Sequence, residues 1–244
     1  MRIAYASGLH LEFDSSLTMT GLSTPAVGTT ADVLVLAGDV DTMPEYYTEF
    51  LRKLRLTYAG PVIFVLGNHE YYNGIFPDDR QKYRDAIAHD RQAFLLENEA
   101  VILDGVVPTA GVRFLGATLW TDFASGKQMR SCQRMMSDFE VIHDGLAPCK
   151  GLAPGTGVSG SITPEVILKV HQDTMDWLAT QIMCHPHKGS TVVITHHAPS
   201  FQSQHTRFAG SPIVGGLLFQ SGASHSTLER GGPCAGSVDP WPCA

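Results

Sequence analysis

Polar side chains of metal-binding type follow four apolar runs of the sequence. His10 follows the first run, Asp39 the second, Asn68 and His69 the third, and His196 a later one. If each run is a buried strand of one open sheet, side chains beyond the carboxyl ends of neighbouring strands meet at one edge. Imidazole, carboxylate and amide-oxygen ligands suit a divalent ion such as manganese, iron or zinc. No thiolate belongs to the set, which disfavours a structural zinc site.

The elements that must position these residues alternate between strand and helix. Apolar runs predict strands at 2–7, 31–37, 61–66 and 190–195, with two or three more strands within 100–120. Apolar side chains spaced among charges predict helices at 45–58 and 78–98. A third helix is predicted from Thr163 to about Met183, because Thr163 is an N-cap residue followed by Pro164 and Glu165. We therefore expect an α/β fold.

The segments that carry these residues resemble the calcineurin-like metallophosphoesterase family. Each single segment is a weak signal, but all of them occur in order, each after a predicted buried strand, and the resemblance covers about residues 1–213. The segments are Gly8-Leu9-His10-Leu11-Glu12-Phe13, Gly38-Asp39, Gly67-Asn68-His69-Glu70 and Val193-Ile194-Thr195-His196. The resemblance implies a two-sheet β-sandwich flanked by helices, with a truncated or disordered C-terminal part.

The same resemblance implies metal-dependent hydrolysis of a phosphate mono- or diester at a two-metal site. Asp39 would bridge the metals, Asn68 and His196 would bind the second metal, and His10 would lie at the first. His69 would donate a hydrogen bond or a proton to the phosphate or the leaving group, and general-acid help of this kind is worth roughly 10²–10⁴ in rate. Two nearby cations can hold the phosphate and activate a water molecule.

The first departure from the family pattern is Gly8, which stands where the family has Asp. Glycine offers no side-chain ligand, so we expect the first metal to bind weakly. Glu12 and Asp14 are near in sequence, but no known geometry makes either residue a substitute. Of the two ions expected for the family, this chain is therefore predicted to hold one or none.

The second departure is the missing Gly-His-x-His segment, which supplies one histidine to each metal in the family. Residues 214–244 form an atypical tail rich in glycine and proline, which we expect to be poorly ordered and separate from a domain at 1–213. One permitted coding of residues 237–244, moved forward by one base, reads Leu-Trp-Ile-His-Gly-His-Ala-His. We therefore hypothesise that a frameshift between about Val214 and His225 replaced the original C-terminal part.

These departures leave a rival open, a non-catalytic remnant that binds a phosphate-bearing ligand or partner. A nuclease is disfavoured, because the formal net charge is −7 and the 17 Lys and Arg residues form no basic stripe. We expect a small phosphate-ester substrate and no nucleic-acid partner. We also expect no membrane span and a cytoplasmic protein, since no apolar run approaches about 20 residues and the N-terminus turns polar too soon for a signal peptide.

Several other residues near the site are assigned no chemistry. We expect Glu70, Tyr71 and Tyr72 to pack or to line the edge of the site. His197 is interpreted as a residue behind the ligands or in the loop. Five scattered cysteines without a Cys-x-x-Cys pair argue against a disulfide framework.

Overall fold

The computed structural model of the chain describes residues 1–13, 31–104, 111–146, 160–200, 202, 211 and 213–216. The strands in chain order are β1 (Ile3–Ala6), β2 (Val33–Ala37), β3 (Val62–Val65), β4 (Ile75–Phe76), β5 (Ala93–Leu95), β6 (Glu99–Leu103), β7 (Val112–Ala117), β8 (His143–Asp144) and β9 (Ser190–Thr195). The helices are α1 (Pro44–Leu54), α2 (Arg80–Ile87), α3 (Met129–Met135), α4 (Asp138–Val141) and α5 (Pro164–Met183). Short 3₁₀ turns cover His69–Tyr71 and Val214–Gly216.

Two sheets form the centre of the molecule. The first has four parallel strands in the order β1-β2-β3-β5. The second has the order β6-β7-β9, in which β6 is antiparallel and β9 parallel to β7. Strands β4 and β8 form a separate parallel pair. The carboxyl ends of β1, β2 and β3 therefore lie together at one edge of the first sheet.

Alternate residues of the central strands pack in opposite directions. Leu34 and Leu36 belong to a buried cluster with Phe50 and other residues of α1 and α2. Val33 and Val35 belong to a second cluster that includes Phe114 from the other sheet. On the far face of the second sheet, residues of β7 and α5 pack together, including Leu115 and Leu178. The layers are helix, sheet, sheet and helix, which confirms the predicted two-sheet sandwich flanked by helices.

One predicted element is wrong. The helix expected over 78–98 ends at Ile87, and residues 93–95 form β5, which pairs with β3 from Val62 opposite Ala93 to Phe64 opposite Leu95. Phe94 packs in the cluster between the sheets and Leu95 in the helix-side cluster, so their period is that of a strand. Pairing with a buried strand outweighs the local helical spacing.

The C-terminal part is described only at its beginning. Gly215 receives a hydrogen bond from Thr121 at its carbonyl, and its amide donates to Gln128 Oε1 at 2.6 Å. These contacts tie residues 214–216 to the domain. The rest of the predicted tail, residues 217–244, and the shifted-frame segment lie outside the described residues, as does most of the loop predicted at 144–163.

The structure also bears on the expectations about disulfides and about membrane spans. Cys184 is disulfide-bonded, although the sequence argued against a disulfide framework. Cys132 is a free, buried thiol. Among the described residues, no helix combines the length and apolar character needed to cross a membrane.

Candidate metal centre

The structure brings the four predicted metal-binding residues together, although they are spread over nearly 190 positions of sequence. His196 Nε2 lies 3.4 Å from Asp39 Oδ2 and 3.3 Å from Asn68 Oδ1. His10 Nε2 lies 3.7 Å from the same Asp39 oxygen. The turns that follow β1, β2 and β3 supply His10, Asp39 and Asn68 at one edge of the first sheet, as expected. His196 follows β9 of the second sheet, so the four residues come from two sheets rather than from the one open sheet that was expected.

The tautomer of His196 is fixed by the backbone of β2. Its Nδ1 lies 2.9 Å from the carbonyl oxygen of Ala37, and because a carbonyl can only accept, Nδ1 carries a proton. In the neutral ring, Nε2 therefore presents its lone pair to Asp39 and Asn68. Burial by itself lowers the pKa of His196, but the hydrogen bond and charge of Asp39 outweigh burial, and the pKa lies above its ordinary value.

The amide of Asn68 is oriented by a buried acid. Its Nδ2 donates to Asp138 Oδ1 at 2.8 Å, which turns Oδ1 towards His196. Asp138 begins helix α4 and also accepts a hydrogen bond from the Tyr72 hydroxyl at 3.3 Å. Since a carboxylate only accepts, the assignment of nitrogen and oxygen in the Asn68 amide follows from this contact.

Asp39 is buried and ionised. It has a φ of 53°, a left-handed conformation that aspartate tolerates better than most residues. The backbone N–H of His69 donates to its Oδ1 at 3.0 Å. Burial opposes ionisation, but the hydrogen bond and charge of His196 and the His69 amide prevail, so the pKa of Asp39 is lowered to about 2.

Glycines before the ligands allow this close approach. A Cβ on Gly38 would lie 2.3 Å from His196 Nδ1, and a Cβ on Gly67 would lie 2.1 Å from Asp39 Oδ1. Gly38 also has a φ of +80°, which a residue with a side chain rarely adopts. Any other residue at either position would push the imidazole and the carboxylate apart.

Glu70 ties the turn after β2 to the turn after β3. Its side chain is 2% exposed and accepts hydrogen bonds from the backbone amides of Asp39 (3.0 Å), Val40 (2.7 Å) and Gly67 (2.6 Å). The Tyr47 hydroxyl donates to the same carboxylate at 2.6 Å. Burial and the charge of Asp39 raise the pKa of Glu70. Glu70 therefore packs at the site, as expected, and it also holds the ligand-bearing turns in register.

His69 lies at the rim of the group. Its ring stacks on Tyr72 with centroids 4.1 Å apart and meets His10 edge-on at 4.4 Å. Its Nδ1 is 3.0 Å from Glu12 Oε1. This placement beside Asp39 is compatible with the donor role predicted for His69 at a bound phosphate.

The side of the site near Gly8 has few ligands. Gly8 has a φ of +62°, and a Cβ built there would meet only the His10 ring, at 3.8 Å. A side chain would therefore find space at this position. Glu12 contacts His10 at Nδ1 (3.2 Å), the ring nitrogen that faces away from Asp39, and Asp14 lies outside the described residues.

His197 lies behind the ligands. Its ring stacks on Trp120 at 5.4 Å, and its Nδ1 is 3.4 Å from the carbonyl oxygen of Thr118. Burial lowers the pKa of His197 to about 3, so the ring is neutral. These contacts agree with the expectation that His197 supports the site from behind.

The sequence did not identify three acids of the site as partners of the metal-binding residues. Glu70 was assigned to packing, Asp138 was not singled out, and Glu12 was set aside. Glu12 carries one usable signal, its place two residues after a candidate ligand. Asp138 carries none, because it meets Asn68 across 70 positions of sequence.

The donor set fits a divalent cation. When the His196 ring is neutral, its acceptor Nε2 faces two further acceptors, Asn68 Oδ1 at 3.3 Å and Asp39 Oδ2 at 3.4 Å. Ligands at about 2.0–2.2 Å from one metal ion are separated by similar distances. A cation therefore satisfies His196, Asp39 and Asn68 together, and His10 stands at the other side of the same carboxylate.

The comparison with known proteins agrees with this chemistry. The family of calcineurin-like phosphoesterases matches residues 1–225. The chain belongs to that family, whose members are metal-dependent phosphoesterases.

Individual relatives are distant. An uncharacterized protein of Acanthamoeba polyphaga mimivirus is 24% identical over 216 residues, which cover 82% of this chain and 69% of the viral protein. The crystal structure of phosphopantetheinyl hydrolase (PptH) from Mycobacterium tuberculosis is similar with a TM-score of 0.59 and 14% identity, covering 89% of this chain and 75% of that one. The latter likeness establishes the fold.

Proposed function

We propose that this chain hydrolyses a small phosphate mono- or diester with the help of one tightly bound divalent cation, and that its activity is reduced relative to an intact two-metal site. The observation that carries the proposal is the convergence of Asp39 Oδ2, Asn68 Oδ1 and His196 Nε2, with His69 beside them. Family membership supports phosphoester hydrolysis at a metal site, and manganese, iron and zinc all suit these ligands.

The chain's own residues prepare the site in separate ways. Asp39 is kept ionised although it is buried. The hydrogen bond to Ala37 keeps Nε2 of His196 facing Asp39, and the hydrogen bond to Asp138 keeps Oδ1 of Asn68 facing His196. When bound, the cation supplies Lewis-acid polarisation of the phosphate and lowers the pKa of a water molecule. His69 holds Asp39 through its backbone amide and offers its ring as the acid for the leaving oxygen.

A second candidate function is a non-catalytic protein that binds a phosphate-bearing ligand at the same cleft. Two observations favour it, Gly8 in place of a carboxylate and the absence of a Gly-His-x-His segment from the sequence. Gly8 removes a ligand from the first metal position, and the missing segment removes one histidine from each of the two positions. A small substrate fits the acidic net charge of −7, which would repel large polyanions.

The two candidates differ in turnover. Bis(p-nitrophenyl) phosphate and p-nitrophenyl phosphate are incubated with the purified chain and Mn²⁺, and release of p-nitrophenolate is followed. The proposal expects metal-dependent hydrolysis that falls roughly 10²–10⁴-fold in His69→Ala. The matched control is His89→Ala, which changes an exposed histidine in the turn after α2 and leaves the rate as it is.

Turnover that is the same in His69→Ala would contradict the role of His69. No turnover, together with phosphate binding that depends on Asp39, would favour the binding protein. Restoration of turnover by Gly8→Asp together with the shifted-frame C-terminal segment would then identify the chain as a disabled copy of an active phosphoesterase.

A further inference from the structure

One carboxylate oxygen contacts two histidines of the site at once. Glu12 Oε1 lies 3.2 Å from Nδ1 of His10 and 3.0 Å from Nδ1 of His69. The two rings are 4.4 Å apart, edge to face, on either side of this oxygen. A carboxylate accepts hydrogen bonds, so each ring is best matched to it when Nδ1 carries a proton.

Glu12 is held in place mainly by these two contacts. Its side chain is 13% exposed. Its other oxygen, Oε2, is buried and has no hydrogen-bond partner in the described part of the chain. The pairing with the two imidazoles is therefore the polar interaction that compensates the burial of this acid.

The other nitrogen of each ring, Nε2, is the one available to a metal ion or a substrate. His10 Nε2 is the atom that lies 3.7 Å from Asp39 Oδ2. With Nδ1–H of His69 directed to Glu12, Nε2 is the ring nitrogen left to meet a substrate oxygen, and it donates a proton to a leaving oxygen when the ring is doubly protonated. Histidines that bind metals generally donate their other N–H to a carboxylate or carbonyl, which fixes tautomer and ring orientation. His196 already follows this pattern through the Ala37 carbonyl.

We propose that Glu12 is a positioning residue that holds His10 and His69 together, each with a proton on Nδ1. One acid thereby orients a histidine on the ligand-poor side of the site and the histidine proposed as the acid for the leaving oxygen. The functional part of this inference rests on the proposed function, whereas the tautomers themselves do not.

A cation chelated directly by Glu12, His10 and His69 is the competing interpretation, since these three side chains are close enough to share an ion. It is disfavoured because such an ion would occupy Nδ1 of His10 and draw that ring away from Asp39. It would also place a ligand bond on the histidine expected to act on the substrate. The two interpretations differ in whether Nδ1 keeps its proton when metal is added.

The test is a long-range ¹H–¹⁵N correlation spectrum of the labelled full chain at alkaline pH. Signals are assigned with His10→Asn and His69→Asn. Wild type is expected to show both rings as the Nδ1–H tautomer, and Glu12→Ala is expected to shift both towards Nε2–H. His196 serves as an internal reference, since its tautomer depends on Ala37 and stays unchanged. Glu49→Gln, an exposed acid on α1, is the matched control and leaves all three signals as they are.

Three results would overturn the inference. They are Nε2–H tautomers in wild type, tautomers that do not respond to Glu12→Ala in a folded protein, and loss of both Nδ1–H signals on addition of Zn²⁺. Hydrolysis gives a separate readout, in which Glu12→Ala is expected to lower kcat about 10–100-fold with little change in KM. If wild type has no turnover, the proposed function fails, and the spectra still decide the role of Glu12.

Discussion

The two sides of the metal centre differ in how completely they are built. On one side, Asp39, Asn68 and His196 converge, and each is oriented by a further contact from the protein. On the other side, Gly8 contributes no ligand and His10 stands alone, with its far nitrogen on Glu12. Both sides share the single carboxylate of Asp39.

The difference shows that the ligands of the fuller side are oriented by contacts of their own. Glu70, Asp138 and the Ala37 carbonyl orient Asp39, Asn68 and His196 through buried hydrogen bonds, none of which needs a side chain at position 8. The lack of a carboxylate at Gly8 therefore leaves these contacts in place. The chain is expected to behave as a one-metal site on a two-metal fold.

The largest effect is expected from Glu70→Ala, which would disrupt the side formed by Asp39, Asn68 and His196. Three backbone amides and the Tyr47 hydroxyl would lose their acceptor in a buried place, at a cost of about 3 kcal/mol or more in the free energy of unfolding. Urea unfolding measures this cost. Glu99→Gln removes an exposed acid paired with Arg84 and is expected to cost less than about 1 kcal/mol. Equal costs for the two variants would mean that Glu70 does not hold the turns.

The next effect is expected from Asp138→Ala, which frees the Asn68 amide to turn. Mn²⁺ affinity, measured by calorimetry, should fall about 10–100-fold, because the residue that orients a ligand is lost. Asp138→Asn retains an acceptor oxygen and should recover most of the affinity. The matched control is Ser137→Ala, whose hydroxyl contacts Tyr72 rather than Asn68. A similar loss in Ser137→Ala would indicate a general disturbance of α4.

The smallest effect is expected from Gly8→Asp, which adds the missing carboxylate to the ligand-poor side. The positive φ at this position makes a side chain cost about 1 kcal/mol in stability. In return, a second and weaker Mn²⁺ equivalent should become measurable by calorimetry. Gly8→Ala carries the same strain without the ligand and should show one equivalent only. If Gly8→Asp binds no second ion, the lack of the Gly-His-x-His segment limits metal binding on that side instead.

The family resemblance implied the two-sheet sandwich, and local patterns placed His10, Asp39, Asn68 and His196 directly after strands, where the structure brings them together. Apolar runs mark the buried strands, and the residue after each run lies at the edge of a sheet. The supporting contacts could not be predicted, since Glu70 and Asp39, Glu12 and His69, and Asn68 and Asp138 are 31, 57 and 70 positions apart. For the same reason β5 was expected as helix, because its strand character comes from pairing with β3.

The most direct test of the account is the number of Mn²⁺ ions bound per chain, measured by electron paramagnetic resonance on the full chain and on Asp39→Asn. Asparagine keeps the left-handed backbone of Asp39 and can still accept the His69 amide, so the variant should fold. The account predicts one tightly bound ion in wild type and an affinity more than about 100-fold lower in Asp39→Asn. Two ions of equal affinity, or one ion that survives in Asp39→Asn, would contradict it.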